Sequence, residues 1–160
     1  MSQAEKEAIS VLTAAIGKKY VLTDQKSVEF YSMDVYRSFE TPIAVVQPGS
    51  VEELQEVVRV ASGLGIAIVT RGGGASYTDG YLATTPKSIT IDTSRLNKIV
   101  EINEEDMLVT VEPGVTWAEM AAALAEKNLR TPFWGPFSGL KATVGGSTSQ
   151  NSLSMGTGAY

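Results

Sequence analysis

The residues best able to hold a ligand in this sequence are glycines. Arg71-Gly72-Gly73-Gly74-Ala75-Ser76-Tyr77 follows at once on the apolar run Ile66-Ala67-Ile68-Val69. Glycines there let the backbone take φ > 0 and bring its N–H groups close to a ligand, forming a concave nest for an anion such as pyrophosphate. Val111-Glu112-Pro113-Gly114-Val115 puts another glycine where a strand gives way to a helix. Pro136-Phe137-Ser138-Gly139 follows, then Ala142-Thr143-Val144-Gly145-Gly146-Ser147, then Asn151. Any one of these reads equally well as a plain turn. The ordered set does not.

Two nucleotide loops fail against the letters. A P-loop needs GxxxxGK followed by Ser or Thr, and no glycine here precedes Lys-Ser or Lys-Thr. A dinucleotide fingerprint needs GxGxxG opening a helix; Gly72 and Gly74 fit, but Tyr77 stands at the third glycine position. Asp92 lies where that fold places its ribose-binding acid, yet Asp79-Gly80 and Thr85-Pro86 break any helix between.

Other chemistries are excluded by composition. The chain has no cysteine and no histidine, so it offers no Cys/His zinc site, thiol nucleophile, Ser-His-Asp triad or histidine base. Eighteen acidic against thirteen basic residues give a net charge of −5, and no basic stripe suits a nucleic-acid backbone. The carboxylates Glu52-Glu53, Glu104-Glu105-Asp106 and Glu112 fall on helix starts and turns, where caps and solvated faces account for them. Tyr77, Tyr81 and Trp134 flank the glycine loops and serve either as packing or as stacking faces for a planar ligand. Arg71 reads as one added charge for an anion or as a surface residue at a strand end; Lys141 reads likewise.

The elements that must position these loops are legible. Ser2-Gln3-Ala4-Glu5, Ser50-Val51-Glu52-Glu53 and Thr116-Trp117-Ala118-Glu119 each fit a capping box and predict three helices. The first carries Ile9, Leu12 and Ile16 and stops at Gly17. The second carries a stripe of Val51, Leu54, Val57, Val58, Ala61 and Leu64 and ends at Gly63 and Gly65. The third carries Met120, Ala121, Leu124 and Ala125, with Asn128 as a left-handed stop. The apolar runs 43–46 and 66–69 flank the second helix as parallel strands of a βαβ unit. Residues 88–92, 99–102 and 107–111 predict further strands, the last two a hairpin turning at 103–106. Parallel strands followed by antiparallel ones make this an α+β fold.

Residues 135–160 are mostly Gly, Ser, Thr, Ala and Asn, and read as a long structureless segment of the kind that binds something. The chain stops inside it, so the expectation is the first part of a larger protein or a truncated form of one. The acidic start and the lack of any long apolar run predict no signal peptide, no membrane span and a cytoplasmic location.

The ordered motifs resemble the N-terminal part of the FAD-binding domain of the vanillyl-alcohol oxidase and p-cresol methylhydroxylase superfamily, nearest the FAD-linked D-lactate dehydrogenase and glycolate oxidase type. The likeness rests on Tyr31-Ser32-Met33-Asp34, Val46-Gln47-Pro48-Gly49-Ser50-Val51-Glu52-Glu53 and the three glycine motifs at 71–76, 111–115 and 142–146, closing on Asn151 and Tyr160. It covers about residues 28–160, leaving 1–27 as an N-terminal helical segment.

The resemblance implies a small parallel βαβ subdomain followed by the start of a mixed, antiparallel one. It implies that residues 72–76 cradle the FAD pyrophosphate. Pro113, Gly114, Pro136, Ser138, Ala142, Thr143, Gly145 and Gly146, with Asn151 nearby, would line the rest of the cofactor. Many relatives attach FAD through a histidine in the first glycine loop; Ala75 matches that position, which implies noncovalent FAD.

The activity implied is oxidation of a small 2-hydroxy acid with an unassigned electron acceptor. A further FAD and cap domain, or a partner subunit, would complete the enzyme. None of the 160 residues is named catalytic, and the chain alone is expected to be inactive. The alternatives are a non-catalytic FAD- or nucleotide-binding module, a fragment whose loops order only with the missing part, and a nucleotide-sugar reductase of the same fold.

Overall fold

The structure, a computed structural model, describes residues 2–132 and 139–152. The chain divides into two compact units, Met1–Arg71 with Ser76–Arg95, and Gly72–Ala75 with Leu96–Tyr160.

The first unit is a four-stranded sheet with helices. In chain order it holds α1 (Gln3–Ile16), β1 (Val21–Leu22), α2 (Gln25–Tyr31), β2 (Ala44–Val46), α3 (Val51–Gly63), β3 (Ala67–Arg71) and β4 (Ser88–Asp92). The strand order is β1-β2-β4-β3, with β1 antiparallel to β2 and the other pairs parallel. The two apolar runs are parallel as expected, but they do not touch: β4 lies between them. Ala44 and Val46 stand beside Ile89 and Ile91, so one face of the sheet is continuous apolar surface. Leu12 and Ile16 of α1 and Val57, Val60 and Ala61 of α3 close the core over it.

The stripe on α3 is rotated from the expected one. Val51 and Val58 are exposed, whereas Val60 is buried. At roughly 100° per residue, Val51 and Val58 fall about a quarter to a third of a turn from Val57. The capping box predicted at its start is half formed. Ser50 Oγ accepts from Glu53 N, but the Glu53 carboxylate accepts from Gly49 N instead, and Arg95 bonds it at 3.3 Å. The boxes of α1 and of Thr116–Glu119 close fully. β1 and α2 carry no strong sequence signal and were not expected; Asp24 caps α2 by accepting from Ser27 N. Residues 27 and 28 both lie within α2, and β1 pairs with β2, so no break in structure falls there.

The second unit holds β5 (Ile99–Asn103), β6 (Leu108–Val111), α4 (Trp117–Ala125) and α5 (Val144–Ser149). β5 and β6 form the predicted antiparallel hairpin; Asn103 Oδ1 accepts from the N–H groups of Glu105 and Asp106, and Met107 turns at φ 55°. Asn128 takes φ 56° three residues past α4, as the sequence predicts. The core is Val115, Trp117, Met120, Leu124 and Ala142.

The expectation of a structureless 135–160 is corrected by α5. This Gly-Ser-Thr stretch folds because hydroxyls replace apolar contacts. Thr143 caps it through Gly146 N, and Trp117 Nε1 donates to Ser147 Oγ, which donates on to Thr143 O. Pro136, Ser138, Trp134 and Tyr160 lie outside the described residues. Among the described residues no helix is long and apolar enough to cross a membrane, and no three acidic groups gather as a metal site.

Candidate functional site

Three of the sequence motifs converge within the second unit. A Cβ on Gly72 would fall on the Thr143 hydroxyl, and one on Gly73 on the Lys141 carbonyl. A Cβ on Gly145 would lie 2.5–2.8 Å from Pro113 Cβ, O and Cα. The backbone ties the same segments together. Gly145 N donates to Pro113 O at 3.1 Å, Val144 N to Val115 O at 2.8 Å and Trp117 N to Ala142 O at 3.1 Å. Residues 72–75, 113–115 and 141–146 therefore form one cluster, although they are scattered along the chain.

The glycines act differently from expectation. Of the first three only Gly74, at φ 64°, takes the left-handed region. Gly72 and Gly73 are required for room, because neighbouring chain passes where a side chain would stand. The N–H groups of Gly72, Gly73 and Ala75 donate to nothing among the described residues. In a partly exposed loop such donors are open to water or to an acceptor-rich ligand. Ala75 itself packs against the second core. Gly114 is buried, and its N–H donates to Leu96 O at 2.7 Å. Asn151 ends α5 in the left-handed region at φ 48°. The Lys141 side chain is exposed, while its carbonyl crowds Gly73; nothing in the sequence signals that carbonyl's part.

The remaining candidates belong to the first unit. Arg71 is not the surface residue its place at a strand end suggested. It is 8% exposed, its Nη1 donates to Met33 O at 2.9 Å, and its guanidinium lies 4.6–5.4 Å from the ring centres of Tyr81, Tyr31 and Phe30. Ser76 Oγ is 2.9 Å from Thr78 Oγ1, and Tyr81 Oη donates to Ser76 O. Tyr77 is 68% exposed, and its carbonyl accepts from Tyr36 Oη. Of the flanking aromatics, Tyr81 is packing and Tyr77 is open.

Asp92 has no ribose-like role within this unit. Its carboxylate accepts from Tyr31 Oη at 2.6 Å, Gln47 Nε2 at 2.7 Å and Ser94 N at 2.9 Å. Burial, and then the bond to Asp92, hold the Tyr31 phenol well above the usual tyrosine range. Burial also pushes Tyr81 up. Asp34 closes the Tyr-Ser-Met-Asp motif as a local cap, accepting from Tyr36 N and Arg37 N, with the first bond lowering its carboxyl. Arg37 pairs with Asp79 at 3.1 Å. Desolvation, and then Asp34, raise the Asp79 carboxyl.

Several of the described acids are thus engaged in caps, turns and anchors. Glu112 accepts from Lys98 N, Glu104 pairs with Lys127, and Asp106 accepts from Asn103. What the cluster can do chemically is bind: it presents backbone dipoles, small residues and hydroxyls.

Comparison with known proteins agrees with this geometry. Residues 42–160 match the family described as FAD binding domain. Glycolate oxidase subunit GlcD of Bacillus subtilis (strain 168) is 32% identical over 76% of this chain and 26% of its own length. The 1'-carboxy-chondrochloren decarboxylase of Chondromyces crocatus is 27% identical over 95% of this chain and 27% of its own. The solved structure of p-cresol methylhydroxylase with substrate bound superposes with a TM-score of 0.78 at 28% identity. It covers 96% of this chain and 31% of that one. The chain therefore spans about a quarter to a third of the length of these relatives. It belongs to the FAD-binding domain family, in the p-cresol methylhydroxylase and vanillyl-alcohol oxidase superfamily, and its cofactor is FAD.

Proposed function

We propose that this member of the FAD-binding domain family is the cofactor-holding portion of a flavin-dependent oxidoreductase that oxidises a small 2-hydroxy acid of the D-lactate or glycolate kind. The observation that carries the reading is the cluster of 72–75, 113–115 and 141–146, where the N–H groups of Gly72, Gly73 and Ala75 meet no acceptor among the described residues. Two phosphates are acceptor-rich anions, and amides directed at them need no lysine. The similarity to a glycolate oxidase subunit supports the substrate class.

In this reading Gly72–Ser76 holds the pyrophosphate by main-chain N–H groups. Pro113, Gly114, Ala142, Thr143, Gly145 and Gly146 line the cofactor, with Tyr77 and Asn151 at its margin; Pro136 and Ser138 complete the set outside the described residues. FAD, when bound, supplies hydride acceptance and the onward transfer of electrons. Ala75 offers no atom for a covalent link, and the 160 residues contain no histidine or cysteine to make one, so these residues hold FAD noncovalently. The catalytic groups and the electron acceptor's docking site belong to the remainder of an enzyme of the relatives' length, and the protein works in the cytoplasm.

The test is an FAD titration followed by flavin fluorescence and melting temperature, then anaerobic addition of D-lactate, glycolate, D-2-hydroxyglutarate and p-cresol to the FAD-loaded protein at the full length of its relatives. Loss of visible flavin absorption with a 2-hydroxy acid supports the reading. Bleaching by p-cresol alone overturns the substrate class, and bleaching by nothing favours the non-catalytic binding module. Failure to bind FAD overturns the function altogether. Acid precipitation should leave a colourless pellet; a yellow one overturns noncovalent attachment.

A further inference from the structure

The four residues Gly72–Ala75 belong to the second unit, but the residues on either side, Arg71 and Ser76, belong to the first. The first unit holds both. Arg71 closes the β3–β4 ladder opposite Asp92, and its carbonyl accepts from Thr93 N at 3.1 Å. Its side chain turns into the aromatic cage. A guanidinium removed from water at 8% exposure costs several kcal/mol unless it is partnered. Here one N–H meets the Met33 carbonyl, and three ring faces within about 5.5 Å supply cation–π attraction.

The carboxylate that stands opposite in the ladder, Asp92, is occupied by Tyr31, Gln47 and Ser94. Burying a cation without a carboxylate partner is a poor route to stability, so the arrangement calls for another reason. Tyr81 provides it. Its ring, nearest of the three at 4.6 Å, lies under the Arg71 guanidinium, while its hydroxyl donates to Ser76 O at 3.2 Å. One side chain therefore ties together the residue that enters the glycine loop and the residue that leaves it.

We propose that Arg71 and Tyr81 are positioning residues for the cofactor: the Arg71–Tyr81–Ser76 chain of contacts clamps both ends of the Gly72–Ala75 loop, so that its N–H groups are set before the pyrophosphate arrives. This rests on the reading that the loop binds FAD. Preorganisation lowers the ordering cost of binding, so loosening the clamp weakens affinity without removing any contact to the ligand. It also accounts for Arg71 being turned inward rather than held out as a phosphate-binding charge.

The experiment uses the whole protein and three variants. Tyr81→Phe deletes the hydroxyl and keeps the ring beneath Arg71. Arg71→Lys keeps a cation, and Arg71→Met removes it at similar length. FAD dissociation constants, visible circular dichroism of the bound flavin and hydrogen exchange of peptides covering 71–81 are measured alongside the apo melting temperature. One lost hydrogen bond predicts about threefold to tenfold weaker FAD in Tyr81→Phe. Faster exchange should be confined to the loop peptides, with a changed flavin dichroism and a nearly unchanged melting temperature. Arg71→Met should weaken FAD further, and Arg71→Lys should restore part of the loss.

Tyr81→Phe decides the matter if Arg71→Met does not fold. Parent-like loop exchange and parent-like affinity in Tyr81→Phe overturn the clamp and leave the FAD reading intact. A parent protein that binds no FAD overturns the FAD reading, and the cofactor role of the clamp with it.

Discussion

The two units are stabilised by different means. Among the described residues the first has twelve buried apolar side chains in one cluster over a sheet whose β2 and β4 are wholly buried. The second has five, beside a two-stranded hairpin with Val100, Met107 and Leu108 exposed. What it has instead is backbone against backbone: glycines at van der Waals limits, main-chain bonds linking 113–117 to 142–145, and a hydroxyl relay from Trp117 to Thr143. Close backbone approach forms a ligand cradle but buries little apolar surface, and apolar burial is the main source of stability. The first unit is therefore where stability is concentrated, and under the proposed function the second is where binding is concentrated. Substitutions should separate the two.

The largest effect on FAD binding should come from Gly73→Ala. Its Cβ meets backbone at Lys141, which cannot swing aside as a side-chain tip can. Overpacking of about 1–3 kcal/mol predicts FAD binding weakened about tenfold to a hundredfold, with the first unit's exchange protection intact. Equal loss of protection in both units would break the comparison.

The largest effect on stability should come from Leu12→Ala, at a fully buried position of the first core. It should lower unfolding free energy by about 2–5 kcal/mol in urea titration, while protein that remains folded binds FAD with parent affinity. A change in affinity larger than the change in stability would contradict the division.

A smaller effect is expected at high pH. The Tyr31 and Tyr81 phenols are held above their ordinary values in the folded protein. Their stabilisation is fully present below about pH 10, where the unfolded groups begin to ionise, and is lost as pH rises toward the folded values. Stability measured from pH 8 to 11 should fall in the first unit, and Tyr31→Phe should flatten the fall.

Smallest is Thr116→Ala, which opens the closed capping box of α4. It should cost about 1 kcal/mol. Ser50→Ala should cost less, because Glu53 there keeps its bonds to Gly49 and Arg95. Equal costs would show that box closure adds nothing.

Local grammar made much of this molecule legible. Capping residues located α1, α3 and α4, the Asn103–Asp106 turn located the hairpin, and the ordered glycine motifs located the cluster and its family. Each depends on residues near one another in the chain. What stayed hidden depends on distant ones. β4 enters between β2 and β3 from a separate part of the chain; no local pattern encodes a neighbour. α2 is short, and α5 is built from poor helix formers held by hydroxyl bonds. Val60 rather than Val51 faces the core because the sheet below decides which side of α3 is inward.

The glycines show the division most clearly. Their sequence determined that backbone can approach another group closely at these positions and that no histidine or cysteine stands among them. Only the tertiary structure decided why each glycine is required. Gly74 alone turns left-handed, while Gly72 and Gly73 yield their space to Thr143 and to the Lys141 carbonyl. The same holds for Arg71, whose letters read as surface or ligand charge and whose neighbours, drawn from residues 30, 31, 33 and 81, turn it inward. Backbone freedom is a property of one residue and is written in its type; a close approach is a property of two chain segments, and the fold alone brings them together.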